Sequence, residues 1–566
     1  MKHIVLLAFA FVFALPVFSQ IYPDKYLVEF TDKNNSPYSI QNPAAYLSPR
    51  AIDRRERYGI PIDELDLPVN PQYLQAVADV GVQIINPTKW LNAVTIYTDN
   101  PEKISEIQAL PFVKNVLKCF LGTKSSSGKA LDPFSLNKPF GYDEAFEGFL
   151  STTKSSNATT SLDYGQGFNQ IDMIGGVGLH DQGFQGQGMV IAVLDGGFTA
   201  TDVLDAFDSL YMNGQILGTR DFVSGGTNVY QGSGHGTAVL STMGANLPGQ
   251  LIGTAPKASY WLLRTEDTGS EYIIEEFNWA SGAELADSVG ADIINSSLSY
   301  KTFDDPLYDH SYENMDGNTA PSTRAADIAM SRGMVVVNSA GNDGNSSTWP
   351  WIGAPADGDS VFSIGAVDSE GVYASFSSIG PTYDGRLKPN FVAQGKNTVI
   401  ASLNGGIGTS SGTSFSSPII AGMTACLWQT DPTMTNMNLL NAIQMSASQA
   451  INPDYQMGHG IPDYTMASII LSGFNPDLVK ETNQIDVFPN PFDDELKIVY
   501  NSPDTHNISI EIYDMKGRLM FSQQNINRRV GLNYYQIKGL IDLDKGVYFL
   551  SISSKEVITT QKIIKF

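Results

Sequence analysis

Two cysteines in 566 residues are too few to staple a fold with disulfides. Six histidines, none in a metal-ligand spacing, give no zinc site. Positive charge is scarce: 35 Lys and Arg face 59 Asp and Glu, a net −24. That balance excludes nucleic acid as a natural partner, since phosphate binding needs basic patches that displace counterions. It equally disfavours docking on anionic lipid. Beyond the N-terminal segment, no stretch approaches the roughly 18 apolar residues that a transmembrane helix needs. What is present is apolar matter enough for packed cores, 42% of residues, with 10% aromatic. At this length a single core is unexpected, and two to four domains are the prior.

The acidity is local. Residues 180–475 hold 29 acidic and 9 basic side chains, whereas residues 20–179 hold 18 and 14, and residues 480–566 hold 11 of each. The chain thus divides into three blocks, preceded by a leader. Met1–Ser19, with Lys2, an apolar run Ile4–Leu15 and small residues at Val17 and Ser19, reads as a secretory signal.

Residues 20–122 read as a small α/β unit. Strands are expected at Tyr26–Thr31, Val82–Asn86, Trp90–Thr98 and Val113–Phe120, and helices at Leu47–Tyr58, Pro71–Val80 and Pro101–Leu110. The order is that of a split βαβ fold. The first helix carries Arg50, Arg54, Arg55 and Arg57, and docking of this cluster on the acidic central block is weighed against solvated charge on both surfaces. Residues 123–165 are Ser/Thr/Gly/Lys-rich without periodicity, as in a linker. Residues 166–475 alternate apolar strands, such as MVIAVLD (189–195), ADIINSSLS (291–299) and MVVVNSA (334–340), with helices such as Glu275–Val289 and Thr323–Arg332. This predicts a doubly wound α/β domain, a mostly parallel sheet covered on both faces, with its chemistry at the C-terminal strand ends. Residues 484–566 contain only strand patterns and predict a small all-β sandwich. Cys119 and Cys426 lie in different blocks and are not expected to pair.

Four residues of the central block carry the chemistry. Asp195 ends an apolar strand before Gly196–Gly197. His235 stands between glycines at the start of a small-residue helix. Ser414, in GTSFSSPIIAG, precedes a helix body, with Pro418 near the helix start, so that its hydroxyl lies at a positive helix end. Asn342, in NSAGNDG, follows a strand and can point its amide at a developing oxyanion. Each alone has an ordinary explanation as a cap, a packed histidine or a turn residue. Together, in the order Asp…His…Ser, they match one of the known solutions to acyl-transfer geometry.

The segments IAVLDGGF, GHGTAVLSTM, SAGNDG and GTSFSSPIIAG resemble the signature segments of subtilisin-like serine peptidases. The resemblance implies a serine endopeptidase with Ser414 as nucleophile, His235 as general base, Asp195 orienting the imidazole and Asn342 donating to the oxyanion. It implies substrate backbone alongside Ser297–Leu298–Ser299, and a specificity pocket walled by Ser339–Ala340–Gly341. Ser299 departs from the glycine usual there. No cofactor is implied for the chemistry. Structural calcium is often found in the family's loops, and the acidic loop Asp304, Asp305, Asp309, Glu313 and Asp316 is a candidate, weighed against a merely solvated loop. Residues 20–122 are similar to the inhibitory propeptides of such proteases. Residues 484–566, with VFPNPF, IYDMKGRLM and KGVYFLSI, resemble the C-terminal sorting domain of type IX secretion cargo in Bacteroidetes, implying contact with the secretion machinery and an extracellular or surface location. The partners implied are protein substrates and the chain's own propeptide. The competing reading is a catalytically silent subtilisin-fold binding or adhesion protein.

Overall fold

The computed structural model describes residues 25–120, 162–479, 481–528, 530–554 and 557–566. The signal segment and most of the expected linker lie outside them. The N-terminal domain is built from β1 (Lys25–Phe30), α1 (Pro49–Tyr58), α2 (Pro71–Asp79), β2 (Gln83–Thr88), β3 (Ala93–Tyr97), α3 (Glu102–Gln108) and β4 (Val113–Phe120). Its strands form an antiparallel sheet in the order β2-β3-β1-β4, as a split βαβ unit requires. Val28, Leu74, Val77, Val94, Ile96 and Ile107 fill the space between this sheet and its helices. The arginine-bearing α1 is an addition to that plan. It is capped by Ser48, whose side chain accepts from Ala51 N, and ends at Gly59 with φ 65°.

The central domain is organised by a seven-stranded sheet. Its strands are β5 (Val190–Asp195), β6 (Ile216–Asp221), β9 (Ser259–Arg264), β10 (Ile293–Ser296), β11 (Val335–Ser339), β12 (Phe362–Val367) and β13 (Phe391–Gln394). The order is β13-β12-β11-β10-β5-β9-β6, and every pairing is parallel. The short β7 (Asn246–Leu247) and β8 (Leu251–Ile252) form a hairpin, and β14 (Thr398–Ala401) and β15 (Ile407–Ser410) another. Eight of the helices are α4 (Phe168–Asp172), α5 (Gly176–Asp181), α6 (Asp208–Met212), α7 (His235–Gly244), α8 (Ile274–Val289), α9 (Pro321–Ser331), α11 (Asn436–Ser446) and α12 (Tyr464–Leu471). Another helix, α10 (Thr413–Thr430), runs through the core and is buried from Thr413 to Trp428. It starts five residues ahead of Pro418, which therefore sits inside the helix rather than at its opening. β5, β11 and β12 are buried at every position, which explains their mostly apolar sequences.

The C-terminal domain is a sandwich of two antiparallel sheets. One holds β16 (Ile485–Phe488), β17 (Leu496–Ser502) and β20 (Gly531–Ile537); the other holds β18 (Ile508–Asp514), β19 (Leu519–Ile526), β21 (Gly546–Ser553) and β22 (Ile558–Lys565). β16 and the exposed, polar β19 carry too little apolar alternation to stand out in the sequence. Met466 and Ile469 of α12 pack with Val479 and Val499, so the sandwich rests on the central domain.

The N-terminal domain docks on α8 and α9. Leu27, Trp90, Ala93 and Cys119 join the same apolar core as the central sheet. Around them lies a buried ionic junction. Asp287 of α8 receives Arg54 at 2.6 Å, Arg55 at 2.8 Å and Lys89 at 3.2 Å. Arg55 also binds Asp66 at 2.7 Å, and Asp66 binds Arg332 of α9 at 3.2 Å. One turn earlier on α8, Glu284 accepts from Thr88 Oγ1, Lys89 N and Trp90 N. Arg50 pairs with Asp292, while Arg57 stays exposed. The expected meeting of the arginine helix with the acidic block is therefore a desolvated contact rather than long-range attraction alone. Cys119 and Cys426 are buried and unpaired.

Burial alone would raise the Asp287 carboxyl, but Arg55, Lys89 and Arg54 override it and hold it well below the usual range. A depressed carboxyl stabilises the fold above its unfolded pKa and loses that effect as pH falls through the folded one. The docked precursor should therefore keep this contribution at any pH above about 4. Asp287→Ala leaves Arg54, Arg55 and Lys89 buried together. It should cost the uncleaved chain about 3–5 kcal/mol, read by urea denaturation at pH 7.

Candidate active site

The C-terminal ends of β5, β10 and β11 open on one crevice, the position where doubly wound sheets bind ligands. β5 delivers Asp195, which is fully buried. Its Oδ1 accepts from Gly196 N at 2.7 Å, and His235 Nδ1 lies 3.0 Å and 2.9 Å from its two oxygens. His235 opens α7, with its backbone N–H on Ser233 Oγ. Gly236 is required by this approach: a Cβ there would lie 2.5 Å from Gly197 O and 3.0 Å from Asp195 Cβ. The Asp195 charge raises the His235 pKa above its ordinary value, against the opposing effect of burial.

Ser414 lies in the first turn of α10. The neighbouring N–H groups of Gly412, Thr413 and Phe415 donate to Gly395 O, Asn342 Oδ1 and Gly412 O. The Ser414 N–H has no such acceptor among the described residues, so a free donor and the helix dipole meet beside the hydroxyl. The ring of Phe415, the next residue, is 6.0 Å from that of His235. Ser414 Oγ itself donates to Ser297 O, at 3.4 Å, and no hydrogen bond joins it to His235 among the described residues. Asn342 is exposed, and its Oδ1 is anchored by Thr413 N at 2.9 Å and Thr413 Oγ1 at 3.0 Å. This anchoring turns the other end of the amide, a donor, away from Thr413. The sequence offers no sign of the Thr413 anchor.

Ser297, Leu298 and Ser299 continue from β10, with Ser297 buried and the other two half-buried. Ser339, Ala340 and Gly341 line the end of β11, held by Ala340 N on Ile364 O and Gly341 N on Thr413 Oγ1. Ser299 points between two glycines: a Cβ on Gly341 would lie 3.4 Å from its Oγ, and one on Gly353 would collide with it. Gly353, absent from the sequence reading, is thus part of the same wall.

The acidic loop does not gather as a calcium site would. Asp305 accepts from Leu307 N, Asp309 from Phe303 N, Asp304 from Glu271 N, and Asp316 from Asn318 N and Thr319 N, so these carboxylates close separate turns. A different trio converges instead. Glu266, Glu271 and Glu275 bring one oxygen each within 4.8 Å of one another. Tyr300 Oη donates to Glu266, and Asp267 N and Tyr272 N donate to Glu275. Burial, then mutual repulsion and Asp304, push all three carboxyls up. The trio's members are spread over a strand end, a loop and a helix start, without a recognisable spacing.

A parallel sheet whose strand ends carry a carboxylate–imidazole pair beside a helix-borne serine defines an α/β protein of the doubly wound class. The comparisons agree. The subtilase family profile matches residues 186–460, a Bacteroidota S8 propeptide profile matches 25–130, and a secretion-system C-terminal sorting profile matches 486–566. Subtilisin NAT of Bacillus subtilis subsp. natto is 34% identical over 289 residues, 50% of this chain and 67% of that protein. Subtilisin of Bacillus pumilus is 32% identical over 295 residues, 51% of this chain and 94% of that protein. The chain belongs to the subtilase family and is a serine-type endopeptidase with a propeptide. Its sorting domain marks it for type IX export, to the medium or the cell surface. No helix among the described residues is long and apolar enough to cross a membrane.

The Asp195–His235 contact makes a direct prediction. The imidazole should titrate above about 6.5, the ordinary histidine value, and fall back in Asp195→Asn, as followed by NMR of the His235 ring.

Proposed function

We propose that the enzyme hydrolyses peptide bonds through an acyl-enzyme on Ser414. With substrate in place, Ser414 Oγ turns to His235 Nε2, gives up its proton and attacks the scissile carbonyl. Asp195 holds His235 in the required tautomer and stabilises the imidazolium. The tetrahedral oxyanion takes hydrogen bonds from Asn342 Nδ2 and Ser414 N–H. His235 then protonates the leaving amine, and water repeats the sequence to release the acid and restore Ser414. The observation that carries this reading is the meeting of Asp195, His235, Ser414 and Asn342 at neighbouring strand and helix ends. Substrate backbone would lie along Ser297–Leu298–Ser299, and the side chain before the scissile bond would enter between that segment and Ser339–Ala340–Gly341. Calcium, if bound, is structural; the separately engaged carboxylates of the acidic loop argue against that loop.

We further assign residues 1–19 to the signal, 20–122 to the propeptide, 123–165 to a linker, 166–475 to the peptidase and 484–566 to the sorting domain. The buried junction at Asp287 supports a propeptide that folds with the peptidase and restrains it until cleavage.

A fluorophosphonate probe tests the reading. It should label mature enzyme at Ser414, with label and peptidase activity both lost in Ser414→Ala. An unlabelled wild type would favour a silent binding protein. Ser299→Gly should enlarge the pocket and raise kcat/KM for a large apolar residue before the scissile bond, relative to alanine, by about tenfold. A peptide-library cleavage profile measures this.

A further inference from the structure

The helix that bears Ser414 has a defect in its backbone hydrogen bonding. An α-helix pairs each C=O with the N–H four residues on. For Ser414 that residue is Pro418, which has no N–H. The carbonyl of a residue only 9% exposed thus loses its helical donor. Ser297 replaces it: Ser297 Oγ donates to Ser414 O at 2.9 Å. The hydroxyl is itself seated in a small buried network. Asn295 Nδ2 lies 3.5 Å from Ser297 Oγ, and Asn295 Oδ1 accepts from Ser417 Oγ at 3.1 Å. In the opposite direction Ser414 Oγ donates to Ser297 O. Two serines, one just past β10 and one in the first turn of α10, therefore clasp each other across the crevice.

We propose that Ser297 is a positioning residue for the nucleophile, its hydroxyl fixing the Ser414 backbone and with it the placement of Oγ and N–H. The inference rests on the reading of Ser414 as nucleophile. An unmade bond to a buried carbonyl is costly, so without the hydroxyl the first turn of α10 shifts to find another donor. Small displacements of a reacting atom are strongly felt in rate. The side-chain role is separate from any contact between the Ser297 backbone and substrate.

The test uses mature enzyme produced from the full-length chain and measures the second-order rate of fluorophosphonate labelling at Ser414, together with kcat and KM on a peptide substrate. Ser297→Ala should label about five- to tenfold more slowly. kcat should fall by a similar factor with KM little changed, and the final extent of labelling should stay complete, which a loss of folded enzyme would not allow. Pro418→Ala restores the missing N–H. The double variant Ser297→Ala/Pro418→Ala should recover to within about threefold of wild type. Ser297→Thr keeps the donor and should label faster than Ser297→Ala, which separates loss of the hydroxyl from substitution at this position. Labelling of Ser297→Ala at the wild-type rate overturns the inference, as does a slow rate that the double variant fails to restore, or a Ser297→Thr variant as slow as Ser297→Ala. A wild type that takes no label overturns the reading of Ser414 itself, and the inference with it.

Discussion

The middle strands of the central sheet leave little room for polarity. β5, β11 and β12 are buried at every residue, and parallel neighbours consume their backbone N–H and C=O groups. Most polar side chains of these strands lie toward their C-terminal ends, Ser363 near the start of β12 being an exception. Asp195, Ser297, Ser339 and Asn342 all lie at or just beyond such ends. The helices that pack on the sheet start near the same edge, so His235 and Ser414 both arrive at a favourable dipole, and the Ser414 N–H has no acceptor among the described residues. The site is a consequence of where a fully buried parallel sheet must stop.

The same economy governs the N-terminal domain. Glu284 and Asp287 face outward from α8, where water would solvate them in the separated peptidase domain. In the precursor they are sealed beneath the N-terminal sheet and α1, and their bonds come from Thr88, Lys89, Trp90, Arg54 and Arg55. A buried ion pair is weak support for stability, because desolvation offsets much of the attraction. It is strong support for specificity, because a domain lacking these cations would leave the carboxylates unpaired. The apolar contacts of Leu27, Trp90 and Ala93 supply the cohesion, and the charges select the partner.

Much of the architecture was legible beforehand because it follows from local pattern. Uninterrupted β-branched runs announced the parallel strands, and glycine on both sides of His235 announced a close approach, which the Asp195 and Gly197 contacts explain. Other features were not legible, each for a physical reason. β16 and β19 pair on too little apolar surface to create alternation. The helix of Ser414 begins before Pro418 because side-chain and backbone partners outside the helix, Asn342 and Ser297, compensate its first turn. The acidic loop looked like one cluster because its residues are close in sequence, yet its carboxylates close separate turns.

Composition and motif by themselves determined the class: an acidic, exported, multi-domain serine peptidase with a parallel α/β centre. They could do so because strand burial, helix starts and glycine-dependent approaches leave marks within a few residues. Only the tertiary structure decided which groups stand next to one another. Asp287 meets arginines more than 230 residues away, and Ser297 meets Ser414 across 117. It also assembled the Glu266, Glu271 and Glu275 trio that no spacing suggested. Such pairings depend on how separate elements pack, and the energy that selects them appears only when water is excluded from both sides.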